Sequence, residues 1–454
     1  MSTTQAPAGA GVVLPQADIV RVPGRLRIRG TIIVVLSLLV AVIGWCTYRS
    51  YASVVQTIGK DSEPSIVAAE NIRSTLGNAH AALVNVFLTG EGADGASARE
   101  YRKSLTQAND YLVAAAQNIT YGDEERRPIL DILNQLSDYQ SLVGMALAQG
   151  GNVQVLHKAD DLMREHIAPA ADALAQANFR HLDAAYTDGR SAAHRWLAVF
   201  GAASLVLLVV LLDTQRYVYA SFRRLVNPAM AAGSLLFVLA VALFAYKAGH
   251  VMSGMRTAKE DAFDSVYALS QAQAVAYAAN AQESVYLITP QKDAQGRQTA
   301  LFRDDANKLF SANIANVPQL PPDLKRLQGH GLLGNELANI TFDGEDAAAK
   351  AALAGWLEYV RIDEQIRALE AAGRHNDAVA LCVGTRPGES DWAFDRFVKA
   401  LLVTMNINQT QFDLAVARAF DDVRWLWILL VAVLLCPLAG ALAGLQQRLA
   451  EFRE

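Results

Sequence analysis

The chain has 454 residues, 52% hydrophobic and 19% charged, with a formal charge of −5. That balance fits a protein that is part membrane and part water-exposed. It excludes a binder of nucleic acid or other polyanions, which needs a basic surface. Of the three cysteines, Cys46 and Cys436 fall inside apolar runs and only Cys382 lies outside them, so no disulfide framework is available.

Residues 1–28 form a basic tail carrying Arg21, Arg25 and Arg27, with Arg29 at its edge. Residues 29–48 read as the first span. Ile32 to Trp45 holds no charge, and with its flanks the run reaches about 20 residues, enough to cross ~30 Å of hydrocarbon. No clean small-x-small site precedes Tyr51, so a retained anchor is expected rather than a cleaved signal peptide.

Residues 49–193 read as a helical bundle. Val55, Ile58, Ser62, Ser65, Ala69, Ile72, Leu76, Ala79, Leu83 and Val86 recur at alternating steps of three and four, which makes a seam on one helix face. Gly90-Glu91-Gly92 stops it. Further helices are expected over 97–117, 126–148 and 152–193, broken at Asn118–Asp123 and at Gly150-Gly151. Pro169 should kink the last one unless a helix starts there. Four helices between two spans give an up-down-up-down bundle.

Residues 194–213 are the second span, 214–228 a link with Arg216, Arg223 and Arg224, and 229–247 the third span. Residues 248–423 form the second bundle. There Pro318, Pro321, Pro322, Gly329, Gly331 and Gly334 predict an irregular loop over Asn316–Glu336, and Thr385 to Gly388 a second break. Residues 424–444 are the fourth span and 445–454 the final tail, with Arg448 and Arg453. Gly440 and Gly444 are compatible with close helix packing or, beside Pro437, with a merely bent span.

Arginines concentrate in the tails and the link, which places those pieces and both termini in the cytoplasm. Trp45, Trp196, Tyr246, Trp425 and Trp427 mark the opposite ends of the spans, where aromatic rings suit the interface. The two long segments then lie outside the cell membrane, each with about seven more acidic than basic residues.

The halves repeat. Ser53, Thr57, Asp61, Ser65, Ala68, Ala79 and Thr89 reappear as Ser253, Thr257, Asp261, Ser265, Ala268, Ala279 and Thr289. Asn118-Ile119-Thr120-Tyr121 returns as Asn339-Ile340-Thr341-Phe342, and Asn178 and Asp183 return as Asn408 and Asp413. The expected fold is all-α: four transmembrane helices with two extracytoplasmic up-down helical bundles, an internal duplication of span–bundle–span.

No phosphate loop, zinc-protease helix, Cys-x-x-Cys pair or nucleophile elbow occurs. The eight histidines lack ligand spacing and read as solvated helix positions. No enzymatic activity, cofactor or metal is therefore expected. Charges are absent from the span centres, which disfavours a transporter. Asn118, Thr120, Asn339 and Thr341 of the repeated turn, and Glu451 and Phe452 beyond the last span, are candidate partner contacts. The plainer reading of the turn is a helix stop followed by acids that suit the next helix N-terminus. The cytoplasmic pieces are too short to bury a core, so any output must be read by another protein.

Three stretches carry a resemblance: Val155 to Met163 with Ile167 to Ala171, Asn406 to Asp413, and Arg448 to Arg453. With the twofold plan, they make the chain similar to the actinobacterial GlnX-type membrane proteins. The resemblance implies a relay from a solute-binding lipoprotein (GlnH-like), which senses amino acids, to a soluble serine/threonine kinase (PknG-like), directly or through an adaptor. It carries no binding residue. The rival reading is a structural cell-envelope scaffold with helical ectodomains.

Overall fold

A computed structural model describes residues 16–61, 63–222 and 227–450. Among these the chain is helical with no strand. The helices are α1 (Gln16–Gln56), α2 (Glu63–Thr89), α3 (Ala96–Gln117), α4 (Asp123–Ala148), α5 (Val153–Leu162), α6 (Ala168–Phe222), α7 (Pro228–Arg256), α8 (Asp264–Ile288), α9 (Lys292–Leu309), α10 (Leu332–Ala338), α11 (Glu345–Ala371), α12 (His375–Cys382) and α13 (Ser390–Ala450). They form two compact units. One holds the described residues up to Val54 with 188–252 and those from Ala419 on; the other holds 55–187 and 253–418.

In the first unit α1, α6, α7 and α13 each contain a stretch long and apolar enough to cross a membrane. The surface says the same. Val35, Leu38, Val42, Leu205, Val209, Leu235, Leu239, Ile428 and Leu435 are large, apolar and exposed, a pattern that suits lipid and not water. The spans are joined by small residues and polar ends. A Cβ added to Gly233 would sit 2.7 Å from the Gly440 Cα, so α7 and α13 touch backbone to backbone. Asn227 donates from Nδ2 to the Gly444 carbonyl at 2.9 Å. The paired glycines of the fourth span therefore serve close packing. At one set of span ends Arg29 pairs with Asp213 at 2.5 Å and lies over Tyr217. At the other, Lys247 meets Asp422 at 2.6 Å and Trp45 packs edge-on against Trp427.

The second unit gathers both long segments. The apolar seam is buried as expected: Val55, Ile58, Ala69, Ile72, Leu76, Ala79, Leu83 and Val86 all face inward. Ser62 lies outside the described residues. Leu76 and Leu83 join Leu112, Ile132, Leu136, Tyr139, Leu156 and Leu174 in one core. Leu269, Phe302, Leu353, Trp356, Tyr359 and Phe397 build a second. Each half thus keeps a core of its own, as two bundles would. The halves are nonetheless packed along α2 and α8 into one unit instead of standing apart.

Pro169 does not fall in the interior of an unbroken α-helix. A π-helical turn, Met163–Ile167, interrupts the helix just before it. α6 then restarts at Ala168, which puts Pro169 in a first turn where its missing N–H costs little. Two more π-helical turns, Thr57–Asp61 and Thr257–Phe263, occupy matching places after α1 and α7. The expected irregular loop contains two short 3₁₀ turns, Val317–Gln319 and Leu324–Leu327, before α10.

Candidate functional site

The repeated turn comes first. After α3, the backbone N–H groups of Thr120 and Tyr121 donate to Glu125 Oε2 at 2.6 and 2.7 Å. After α10, those of Thr341 and Phe342 donate to Glu345 Oε2 at 2.7 and 2.9 Å. In both, the threonine hydroxyl donates to the carbonyl of the preceding asparagine, Asn118 or Asn339. Glu125 and Glu345 are buried. An inward acid thus staples the chain before each following helix, satisfying donors that would otherwise be lost. The second copy is more elaborate: Asn339 reaches Ser265 at 3.1 Å, and Asn408 donates to Glu345 Oε1 at 2.6 Å. Burial, and then the charge of Glu345, push the Glu336 carboxyl up to about 8. Asn118, Thr120, Asn339 and Thr341 are all exposed at these turns. Glu451 and Phe452 lie outside the described residues.

A cavity of about 200 Å³ lies deeper in the same unit, between the two halves. α2 supplies Arg73, Leu76, Gly77 and His80, whose spacing of three, four and seven places them on one helix face. The π-helical turn and the start of α6 supply Met163, Arg164, Ala168 and Asp172. α8 supplies Ala274, Ala278, Ala281 and Gln282, and α9 supplies Asp305 and Lys308. Alanines from α6 and α8 line part of the wall, and its charged residues are joined in ion pairs.

Arg73 Nε lies 2.5 Å from Asp172 Oδ1, a contact of opposite charges that is not aligned as a hydrogen bond. Its Nη1 is 3.6 Å from Glu70 Oε2. Glu70 is buried, and burial pushes its carboxyl up to about 8 against the pull of Arg73. Asp305 bridges the halves: its Oδ2 takes Arg164 Nη1 at 3.2 Å and its Oδ1 takes Lys308 Nζ at 3.1 Å. Beside the cavity runs a buried polar chain across four helices. His80 bonds through Nδ1 to the Tyr139 hydroxyl at 3.0 Å and through Nε2 to Asp160 Oδ1 at 2.9 Å. Gln282 Nε2 donates to the same Oδ1 at 3.0 Å. Burial works against an ionised Asp160, but the bond and charge of His80, with Arg164 and Gln282, outweigh it and hold the carboxyl below its usual range. Gln282 is fully buried, and its Oε1 has no hydrogen-bond partner.

The sequence reading missed this cavity. Its charged residues stand on four separate segments and follow no motif. The available signal was weak: Arg73 and His80 share a face of α2 with Leu76 and Gly77, and Asp172 follows Ala168 and Ala171 on α6.

Comparison with known families gives a match to the first long segment. Residues 54–187 match the model of the actinobacterial sensor domain. No curated protein and no solved structure matches the chain. The matched range coincides with the first segment of the helical unit and includes Arg73, His80, Asp160 and Asp172. The chain is thus a membrane protein that carries a segment similar to a sensor domain between its first two spans.

Proposed function

We propose that the chain is a non-enzymatic signalling protein that relays extracytoplasmic amino-acid availability across the cell membrane. The observation that carries this reading is the sensor-domain match, which begins at the end of the first span and ends where α6 enters the second. The paired segments and matching turns are read as an internal duplication of one span–bundle–span unit. The arginines of the tails and the link put both termini in the cytoplasm. As in the GlnX-type proteins it resembles, the input is a solute-binding lipoprotein docked on the outer helical unit. The output is a serine/threonine kinase, bound at the inner face directly or through an adaptor. A shift among helices of a packed unit is a sufficient signal, because packed interfaces move between discrete arrangements.

The test is affinity purification of the tagged full chain from membranes, with and without aspartate, glutamate or glutamine. Recovery of a binding lipoprotein whose yield changes with the amino acid supports the reading. So does a matching change in phosphorylation of the kinase's substrate that disappears when this chain is deleted. An unchanged substrate in the deletion strain sinks it.

A further inference from the structure

At the Arg29 end of the spans, an open groove of about 560 Å³ runs between α1 and α6. We infer that it binds one anionic phospholipid, with the phosphate on Arg25 and one acyl chain along Ile28, Ile32 and Val210. Such a site is independent of the relay and of which solute is sensed.

Each wall is one helix face. α1 offers Arg25, Ile28, Arg29 and Ile32, and α6 offers Val210, Asp213, Thr214 and Tyr217, both at steps of three, one and three. Ile32 and Val210 lie toward the apolar middle of their spans, Arg25 and Tyr217 toward the ends. Ile28 and Ile32 are exposed, which suits side chains that meet an acyl chain. Arg29 is already engaged: it pairs with Asp213 and lies over Tyr217. That pairing neutralises the acid of the groove. Arg25 is exposed and has no ion-pair or hydrogen-bond partner among the described residues, so it supplies the open charge. Arg27 and Arg216 stand nearby on the same helices. Among residues 24–32 and 210–217, four are basic and one is acidic. A basic mouth above an apolar groove matches a lipid phosphodiester with its chain. A free phosphate would have no use for the apolar part.

The other pair of spans shows why the space is there. Asn178 and Asn408 are equivalent in the repeat register, and α6 and α13 run unbroken beyond them. That register equates Val210 and Thr214 with Gly440 and Gly444. On α1 and α7, the register of Ser53 and Ser253 equates Arg29 and Ile32 with Ala229 and Ala232. In the second pair the small residues let the helices touch: a Cβ on Gly440 would lie 2.9 Å from the Ala229 carbonyl. In the first pair larger side chains stand at those positions on both helices, and a groove remains between them. α1 and α6 also lead into and out of the sensor-matched segment in the chain. A lipid between them would fix their spacing.

The test is native mass spectrometry of the full chain purified in detergent. Phosphatidylglycerol, phosphatidylcholine or the chain-free headgroup glycerophosphoglycerol is added. Retention of one phosphatidylglycerol is expected under conditions where phosphatidylcholine is lost, without displacement by equimolar headgroup. Arg25→Gln should weaken retention about fivefold, the worth of one basic group at a lipid surface. Arg27→Gln removes the same charge outside the groove and should leave retention nearly unchanged. Asp213→Asn removes the acid, frees Arg29 and should strengthen retention. An unchanged melting temperature shows that each variant is folded. Equal retention of phosphatidylcholine overturns the inference, as do equal losses in Arg25→Gln and Arg27→Gln, because either means a general coating of a basic end. Displacement by the free headgroup also overturns it, in favour of a soluble phosphate ligand. So does weaker retention by folded Asp213→Asn, or no lipid retained at all.

Discussion

Gly77 on α2 packs against Tyr277 on α8: a Cβ placed on Gly77 would stand 3.0 Å from the tyrosine Cβ. In the repeat register that equates Ala79 with Ala279, these two residues occupy the same position of the two halves. The halves therefore meet near equivalent residues, as two subunits do around a twofold axis. A larger side chain at Gly77 should push α2 from α8. Gly77→Leu is expected to cost about 1–3 kcal/mol, read as a lower melting temperature of the full chain. Gly77→Ala should be nearly neutral, because the tight contact is offset by about 1 kcal/mol of helix propensity.

The same logic applies in the membrane. Gly233 and Gly440 approach through their α-carbons, and a Cβ on Gly440 would also lie 2.9 Å from the Ala229 carbonyl. The neighbour is backbone and cannot move aside. Gly440→Leu should separate α7 from α13 and lower the melting temperature in detergent, whereas Gly201→Leu, with nothing near it, should be silent. Equal effects of the two changes would remove the packing role.

At the repeated turn the acids matter more than the exposed asparagines and threonines. Glu125→Ala strands the N–H groups of Thr120 and Tyr121 and should cost about 1–3 kcal/mol. Thr120→Ala loses only a weak exposed bond, and its effect should fall within about 0.5 kcal/mol. Chemical denaturation of the full chain in detergent distinguishes them. If Thr120→Ala leaves stability intact but lowers lipoprotein recovery, the turn is also a partner contact.

The seam from Val55 to Val86 was legible because helical periodicity and burial are the same fact seen twice. The stops at Gly90, Asn118 and Gly150 were legible because glycine and asparagine tolerate the backbone that ends a helix; Gly90 and Gly150 do take positive φ. The joining of the halves was not. On the α8-facing side of α2, Gly77 and Asn85 sit among Ala81, Val84 and Leu88, and that mixture does not announce a contact. Nor were the π-helical turns, since Thr57–Asp61 and Thr257–Phe263 contain no residue that demands the extra backbone step. The cavity needed both missing facts, because Arg73 and Gln282 come together only when the halves are joined.

Stability should depend on pH with a definite sign. Burial raises the carboxyls of Glu70 and Glu336 to about 8, and burial with the nearby charge of Asp363 raises that of Glu283. Each folded pKa lies above the ordinary value of 4.5. Their stabilising effect is therefore complete below that value and is lost as pH rises through about 8. Asp160 has the opposite sign. Its carboxyl is held below 3.8, so its contribution is present above that value and lost as pH falls through the lower one. Melting temperature should peak at mildly acidic pH and fall toward pH 8. Glu70→Gln should flatten part of that fall. A melting temperature that climbs steadily between about pH 5 and 8 would mean these acids are ionised in the folded protein.

The last expectation concerns the first half alone. Residues 50–193 contain the core around Leu76, Leu112, Leu136 and Leu174, so an isolated segment should still form helix. It would also expose the face of α2 that α8 covers. On that face Gly77 meets Tyr277, Asn85 accepts a hydrogen bond from the Ser284 hydroxyl at 2.7 Å, and Leu88 packs on the second-half core. Ala81 and Val84, buried in the whole chain, fall between them at helical spacing. Apolar surface of this kind seeks a cover, and the nearest substitute for α8 is the equivalent helix of a second copy. The isolated segment should therefore run as a helical dimer on a sizing column. Asn85→Asp would set two like charges against each other across that face and should shift the segment toward monomer, with its helical spectrum unchanged. A monomer from the start, equally helical and as stable as the full chain, would show that the core of the first half suffices. The α2–α8 contact would then contribute little to stability.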